Sequence, residues 1–514
     1  MAATVATPSE KLADSLAALK TLQDQHVTAI RSEQLSRTHR ERLLKNGFIR
    51  EVIKGWYIPS PPDEPAGEST TWYASFWAFA AGYLNERFGT EWCLSAERSV
   101  SLHTGDWTVP EQLLVRSPKG GNKPTALLHG ISIFDVRLEL PRPEDIETKG
   151  GMRLMRLPAA LIACAPGHFA ARPIEMRAAL AVVTDASEVL SRLLAGGHST
   201  VAGRLAGAFR NIGRDQIADN IIANMRAAGF TVNETNPFED KPPISFAARE
   251  TSPYVNRLRM MWEKMREPIV QVFPAPPGAK ADVPSYLKRM DAIYVTDAYH
   301  SLSIEGYRVG TELIERVRAG GWNPASIKAD RDQRNAMAAR GYWQAFQLVK
   351  QSVEKVLTGQ NPGAVAAKDH SAWYRELFGP SVTAGIVKPA GLAGYRSGPV
   401  YIRRSMHVPP NHEAVRELMP TLFELLEREQ EPAVRVVLGH FMFVYIHPYH
   451  DGNGRMGRFL MNLMFAAGGY PWTVIPLQRR DQYMAALESA SVGGDIKPFA
   501  QFLASLIGNT GPPP

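Results

Sequence analysis

Cysteine is scarce in this chain. Its 514 residues hold only Cys93 and Cys164, with no CxxC spacing. That argues against a disulfide framework or a structural zinc site and fits a reducing, cytoplasmic setting. No uninterrupted apolar run reaches the ~20 residues that a membrane-crossing helix needs. Met1-Ala2-Ala3-Thr4 lacks the basic-then-apolar pattern of a secretory leader. The expectation is a cytoplasmic protein without a membrane-spanning segment. Acid is not in surplus either: 58 Lys and Arg stand against 51 Asp and Glu, a formal charge of +7. Such a balance favours an anionic partner, for which ATP and nucleic acid both qualify. What is plentiful is apolar sequence. A hydrophobic share of 45% with 21% charged residues suits a globular chain of two or three domains with sizeable cores. No internal repeat is visible, and the oligomeric state stays open.

One stretch organises the rest, His447-Pro448-Tyr449-His450-Asp451-Gly452-Asn453-Gly454-Arg455-Met456-Gly457-Arg458. The residues before it, Val434 to Ile446, are nearly all apolar and read as a buried helix. Pro448 ends that helix and leaves His447 at its C-terminal lip. A second helix begins near Asn453, so the loop Asp451-Gly452-Asn453-Gly454 sits at a helix N-terminus, where unpaired N–H groups and the dipole favour an anion. Two glycines let phosphate oxygens approach those amides. Arg455 and Arg458, at i and i+3, share a helix face as phosphate clamps. Asp451 is a hard oxygen ligand suited to a Mg²⁺ shared with substrate phosphates.

The stretch resembles the signature of the Fic family, H-x-F-x-D/E-G-N-G-R-x-x-R, with Tyr449 where Phe is usual. The resemblance runs from about 253 to 508. It implies transfer of AMP from ATP to a Tyr, Thr or Ser hydroxyl of a target protein. His447, with a near-neutral pKa, would be the general base, and Asp451 would hold Mg²⁺. Gly452, Asn453 and Gly454 would cradle the nucleotide, with Arg455 on the β-phosphate and Arg458 on the γ-phosphate. Tyr483 is a candidate adenine contact, against helix packing. His450 reads as a solvent-facing loop residue.

Val283 to Ile304 reads as an amphipathic helix ending in Ser301-Leu302-Ser303-Ile304-Glu305-Gly306. Gly306 suits the left-handed C′ position. An acid in the last turn opposes the helix dipole, a locally wrong charge that invites a functional reason. The segment resembles the inhibitory helix of Fic proteins, S/T-x-x-x-E-G/N, carried by Ser301, Glu305 and Gly306. It implies that Glu305 autoinhibits the enzyme. Gly394 to Pro410 is similar to the family's flap, a β-hairpin with Arg403-Arg404 at its tip. It implies a target-docking edge near Val400–Val408.

Ahead of this half lie two further regions. In residues 1–60, a basic helical stretch from Arg31 to Lys45 precedes strands at Phe48–Ile53 and Trp56–Ile58, joined by Lys54-Gly55. Leu44 to Ile49 with Lys54 to Tyr57 resembles the N-terminal winged helix of antitoxins of the AbiEi type. DNA binding through Arg31, Arg37, Arg40, Arg42, Lys45 and Lys54, or a solvated helix on a protein-interaction module, both fit. After a linker, Ser60 to Pro65, residues 61–235 read as α+β. This region has an aromatic helix from Trp72 to Phe88, strands at Leu113–Val115, Ile131–Val136 and Met152–Met155, and helices from Pro158 to Gly229. A polar stretch, 231–252, marks the main boundary. The expected fold is multidomain and mainly α, with an all-α Fic half carrying a β-hairpin flap behind a winged helix and an α+β domain. Two other functions stay open: removal of AMP by the same site, or a DNA-binding regulator whose Fic half only senses nucleotide.

Overall fold

The step at Lys54-Gly55 shows how local sequence sets the first sheet. Gly55 takes φ +83°, a backbone conformation that a tight hairpin turn demands and glycine adopts freely. It joins β2 (Ile49–Ile53) to β3 (Trp56–Pro59), and β1 (Ile30–Arg31) pairs on the far side of β3. The helix Arg37–Lys45 precedes this hairpin and is shorter than the expected stretch from Arg31, because Arg31 lies in β1 and Ser36 caps the helix by accepting from His39 N. Leu19, Ile30, Leu35, Leu43, Ile49 and Tyr57 form a small core beneath it.

The computed structural model describes residues 7–64, 68–242, 252–277, 282–321, 333–392 and 394–507. Residues 243–251 of the expected boundary stretch and Pro65 of the expected linker lie outside the described residues. The chain divides into two compact units. The first runs up to Pro253 and also takes in Tyr401–Val408; the second comprises Tyr254–Val400 and the chain from Pro409 on.

In the first unit the helix Thr70–Phe88 buries Trp72, Phe76, Phe79 and Leu84 completely. Edge-to-face ring contacts such as Trp72 on Phe76, 5.6 Å between centroids, fix their order. This helix shares a core with a four-stranded sheet in the order β4 (Cys93–Leu94), β5 (Gln112–Ser117), β7 (Ser132–Arg137), β6 (Lys123–Ala126). β5 and β7 run parallel. A separate pair, β8 (Ile146–Lys149) and β9 (Met152–Met155), leads into the helices from Leu157 to Ala227. β6 is absent from the sequence reading for a physical reason. Lys123-Pro124-Thr125-Ala126 is a largely exposed edge with no apolar alternation to betray it.

Every regular element described in the second unit is helical. At its centre Pro432–Ile446 and Asn453–Ala467 pack together, almost wholly buried. Pro432–Ile446 is apolar nearly all round and has to be surrounded, whereas Asn453–Ala467 is buried with two arginines aboard. The β-hairpin expected over 394–410 does not form: these residues contain turns but no strand. Pro399, Pro409 and Pro410 have no N–H to give to a ladder.

Tyr401–Val408 is instead a strap within the first unit. Val109 N donates to the Met406 carbonyl at 2.9 Å, and Met406 and Val408 pack on the aromatic core. Glu68, whose side chain is only 4% exposed, accepts from Arg403 Nε at 3.1 Å and Arg404 Nε at 3.0 Å. The Thr70 hydroxyl donates to the same carboxylate at 2.6 Å and accepts from Arg404 N at 2.9 Å. Burial alone would raise the Glu68 carboxyl, but Thr70 and Arg403 outweigh it and hold it at about 2. Glu68→Ala should therefore free the strap. Trypsin cleavage after Arg403 or Arg404 should accelerate several-fold, read by mass spectrometry of limited digests. An unchanged digest would show that the packing of Met406 and Val408 holds the strap without the carboxylate.

Candidate active site

The buried helix Pro432–Ile446 cannot continue past Pro448, and His447 becomes its left-handed cap at φ +53°. The cap turns the imidazole out of the helix while its N–H still reaches the Phe443 carbonyl at 3.0 Å. Nδ1 lies 3.2 Å from the Val444 carbonyl. A neutral ring donates from that nitrogen and leaves Nε2 able to accept a proton. Burial pushes the imidazole down to about 4. This corrects the near-neutral value expected from sequence: the ring is uncharged at pH 7 because charging it would strip hydration that the site does not replace. Arg396, 1% exposed, fixes the loop from behind by donating from Nε to the His447 carbonyl at 2.8 Å.

The loop after His447 is closed by Asn453. Its side chain accepts from Tyr449 N at 2.9 Å and donates to the Tyr449 carbonyl at 2.8 Å. That commits the amide side chain to the loop and leaves only the Asn453 backbone for a ligand. Tyr449 is buried and stacks on Tyr374 with centroids 3.7 Å apart. Gly452 takes φ +83°, and a Cβ there would meet the Phe378 ring at 2.6 Å. Asp451 Oδ1 accepts from Gly452 N at 2.6 Å and lies 3.4 Å from Arg455 Nη2. Among the described residues no cluster of three or more His, Cys, Asp or Glu side chains could hold a metal alone. Asp451, 62% exposed, fits a cation that takes its other ligands from phosphate and water.

Arg455 and Arg458 are 1% and 4% exposed. Arg455 Nε and Nη2 and Arg458 Nη1 are buried without a hydrogen bond. Buried guanidinium N–H groups left unmet are costly unless a ligand completes them. Arg458 is otherwise gripped by the end of the helix Val283–Ile304. Its Nε donates to Ser301 Oγ at 2.9 Å, and its Nη2 to the Ser301 carbonyl at 3.0 Å and to Glu305 Oε1 at 2.7 Å. Glu305 caps that helix, and Gly306 follows at φ +86° to turn the chain away. Burial would raise the Glu305 carboxyl, but Arg458 and then Arg455 outweigh it and hold it below the usual carboxylate range. The carboxylate lies against Gly454, where an added Cβ would fall 2.2 Å from Oε1. A carboxylate thus already stands on the anion loop.

Tyr483 meets this site from inside the protein, against Arg458, and not as an exposed nucleotide contact. It is 1% exposed and its hydroxyl lies 2.7 Å from His440 Nε2, inside the packing of the helix Arg480–Ser491. A base could reach it only by opening that core. Two side chains went unread in the sequence. Asp297, one turn before Ser301, is buried and accepts from the Tyr342 hydroxyl at 2.6 Å; burial pushes its carboxyl up to about 6. Tyr307 lies over Arg455. Neither carries a spacing signal, since each partner lies on a distant helix. His450 is exposed. In the first unit, Arg31 pairs with Glu33 and Glu86, Arg37 with Glu41, Arg40 donates to the Ser32 carbonyl and Arg42 to the Lys11 carbonyl. Lys45 and Lys54 remain exposed.

Residues 368–465 match the sequence model of the Fic/DOC family. The chain is 31% identical over 216 residues to the protein adenylyltransferase Fic of Drosophila grimshawi, covering 41% of each chain. It is 38% identical over 216 residues to that of Drosophila mojavensis, covering 41% of this chain and 39% of the relative. It therefore spans about two fifths of the length of these relatives. Among solved structures, a Fic-1 fragment from Caenorhabditis elegans aligns over 62% of this chain and 88% of its own, at 21% identity and a TM-score of 0.37.

The grip of Ser301 on Arg458 is measurable. Ser301→Ala removes one acceptor from a buried cation and should cost about 1–3 kcal/mol of unfolding free energy in urea titrations. Ser303→Ala, on the same helix, should shift stability by less than about 0.5 kcal/mol. Equal effects would mean that Ser301 does not bear on Arg458.

Proposed function

We propose that this chain is a protein adenylyltransferase that carries AMP from ATP to a Tyr, Thr or Ser hydroxyl of a target protein and is restrained by its own Glu305. One observation carries the reading: buried arginine N–H groups without partners converge on a helix N-terminus beside a neutral histidine, and a carboxylate stands in for the anion. The relatives named protein adenylyltransferase Fic support the same chemistry.

The target oxygen attacks the α-phosphorus, the bond to the bridging oxygen of the β-phosphate breaks, and pyrophosphate leaves. The hydroxyl proton passes to His447 Nε2. A base of low pKa is weak, so the rate depends on position and on stabilisation of phosphate charge more than on proton affinity. Arg455 and Arg458 meet the β- and γ-phosphates with the N–H groups now unpaired, while the backbone at Gly452, Asn453 and Gly454 lies along the phosphate chain. Mg²⁺, held by Asp451, would supply charge neutralisation between phosphates.

Glu305 restrains this by occupying Arg458 and placing negative charge against Gly454. ATP then binds with its phosphates displaced, and a displacement of about 1 Å costs on the order of a hundredfold in rate. Glu305→Gly should raise labelling from α-labelled ATP on the order of ten- to a hundredfold. Stability should fall, because Arg458 loses its carboxylate, but the fold should persist, because both Ser301 acceptors stay on Arg458. Glu305→Gly with His447→Ala should be inactive while Mg–ATP binding, by calorimetry, persists. Equal labelling by wild type and Glu305→Gly would remove Glu305 from the mechanism; lower labelling would mark it as a catalytic residue for removal of AMP.

The pH dependence has a definite sign. With its pKa lowered to about 4, His447 is already neutral at pH 5, and removing Glu305, which raises that pKa, lowers it further. The Glu305→Gly rate should therefore not fall between about pH 8 and pH 5.5 through His447. A fall centred near 6.5, the value of an unperturbed imidazole, would show a solvated base.

A further inference from the structure

Arg455 is held by rings. Its Cζ lies over the Tyr307 ring, 5.0 Å from the centroid, and over the Phe378 ring, 4.9 Å from the centroid. Phe378 is fixed on the helix Pro362–Thr383 and is pressed against Gly452, where no side chain fits. Tyr307 is fixed differently. It follows the Gly306 turn, and its N–H reaches the Leu302 carbonyl at 3.1 Å, so the ring is part of the helix end that delivers Glu305. The ring also carries Arg334, whose Cζ is 5.5 Å from the centroid. A guanidinium packed against rings bonds at its edge, and on this edge Nε and Nη2 lack hydrogen-bond partners, with Asp451 Oδ1 3.4 Å from Nη2 as an ion pair.

We infer that Tyr307 is a positioning residue for Arg455: its ring sets the plane of the guanidinium so that the open edge meets the phosphates beyond the α-phosphate. This rests on the phosphate-binding reading of the site and adds a constraint to it. One short segment, Glu305-Gly306-Tyr307, carries both the carboxylate that blocks Arg458 and the ring that orients Arg455. Withdrawing the whole segment would free one arginine and disorder the other. Release of inhibition is therefore a movement of the Glu305 side chain, with the helix end staying in place.

The test uses the full-length chain with Glu305→Gly, titrated calorimetrically with Mg–ATP, Mg–ADP and AMP. Adding Tyr307→Leu, which keeps apolar bulk and loses the ring, should raise Kd for ATP and ADP about fivefold or more and leave AMP within twofold. Tyr307→Phe should restore the ATP affinity. In turnover, Tyr307→Leu should raise KM for ATP more than it lowers kcat. Thermal midpoints within a few degrees identify folded variants; if Tyr307→Leu does not fold, Tyr307→Met replaces it. Unchanged ATP affinity overturns the inference. So does tighter ATP binding, which would make the ring a blocker, and so does equal weakening of AMP and ATP, which would make it a packing residue. Absence of ATP binding by Glu305→Gly itself would overturn the phosphate-site reading, and this inference with it.

Discussion

The second unit turns on one ion pair, Glu305 with Arg458. An arginine buried on an apolar helix is expensive unless its charge is met. Here Ser301 meets it with a hydroxyl and a carbonyl and Glu305 with a carboxylate, and the Nη1 group is left without a hydrogen bond. That carboxylate sits at the negative end of its own helix, which disfavours it, and is stable there because Arg458 and Arg455 hold it ionised. The pair therefore stabilises both partners while occupying the cation that the proposed phosphate chemistry would use.

Burial gives the same site two opposite electrostatic results. It strips charge from His447, pushing the imidazole down to about 4. It cannot strip charge from the arginines, whose protonation is effectively permanent, so they keep the charge and demand an anion. A neutral acceptor in the same site as cations with hydrogen-bond donors to spare is what transfer from a polyphosphate requires. The two central helices produce this arrangement because the first is apolar nearly all round and the second, though it carries Arg455 and Arg458, is buried against it.

The first unit solves a different problem. Its aromatic core leaves Glu68 buried, and a buried carboxylate needs donors. Thr70 supplies one from the adjacent chain, and Arg403 and Arg404 come from more than three hundred residues away. The strap they belong to resembles a flap in sequence, but the prolines at 399, 409 and 410 deny it a ladder, and its tip is spent within this unit.

Sequence alone determined the local devices. The apolar run ending at Pro448, the glycines and arginines at fixed spacing after it, the ill-placed acid of Glu305 with Gly306 behind it, and the Lys54-Gly55 hairpin all follow from rules acting within a few residues. Only the tertiary structure decided what depends on distant partners. Ser301 and Arg458 meet across 157 positions. Tyr483 is withdrawn into the core by His440, the Asn453 side chain is spent on its own loop, His447 is made neutral by its surroundings, and Tyr307 and Phe378 orient Arg455. Periodicity and spacing report which face of an element is apolar; they carry no record of which buried charge that face will be pressed against. The pairings and pKa shifts are settled by low-dielectric packing between elements far apart in the chain.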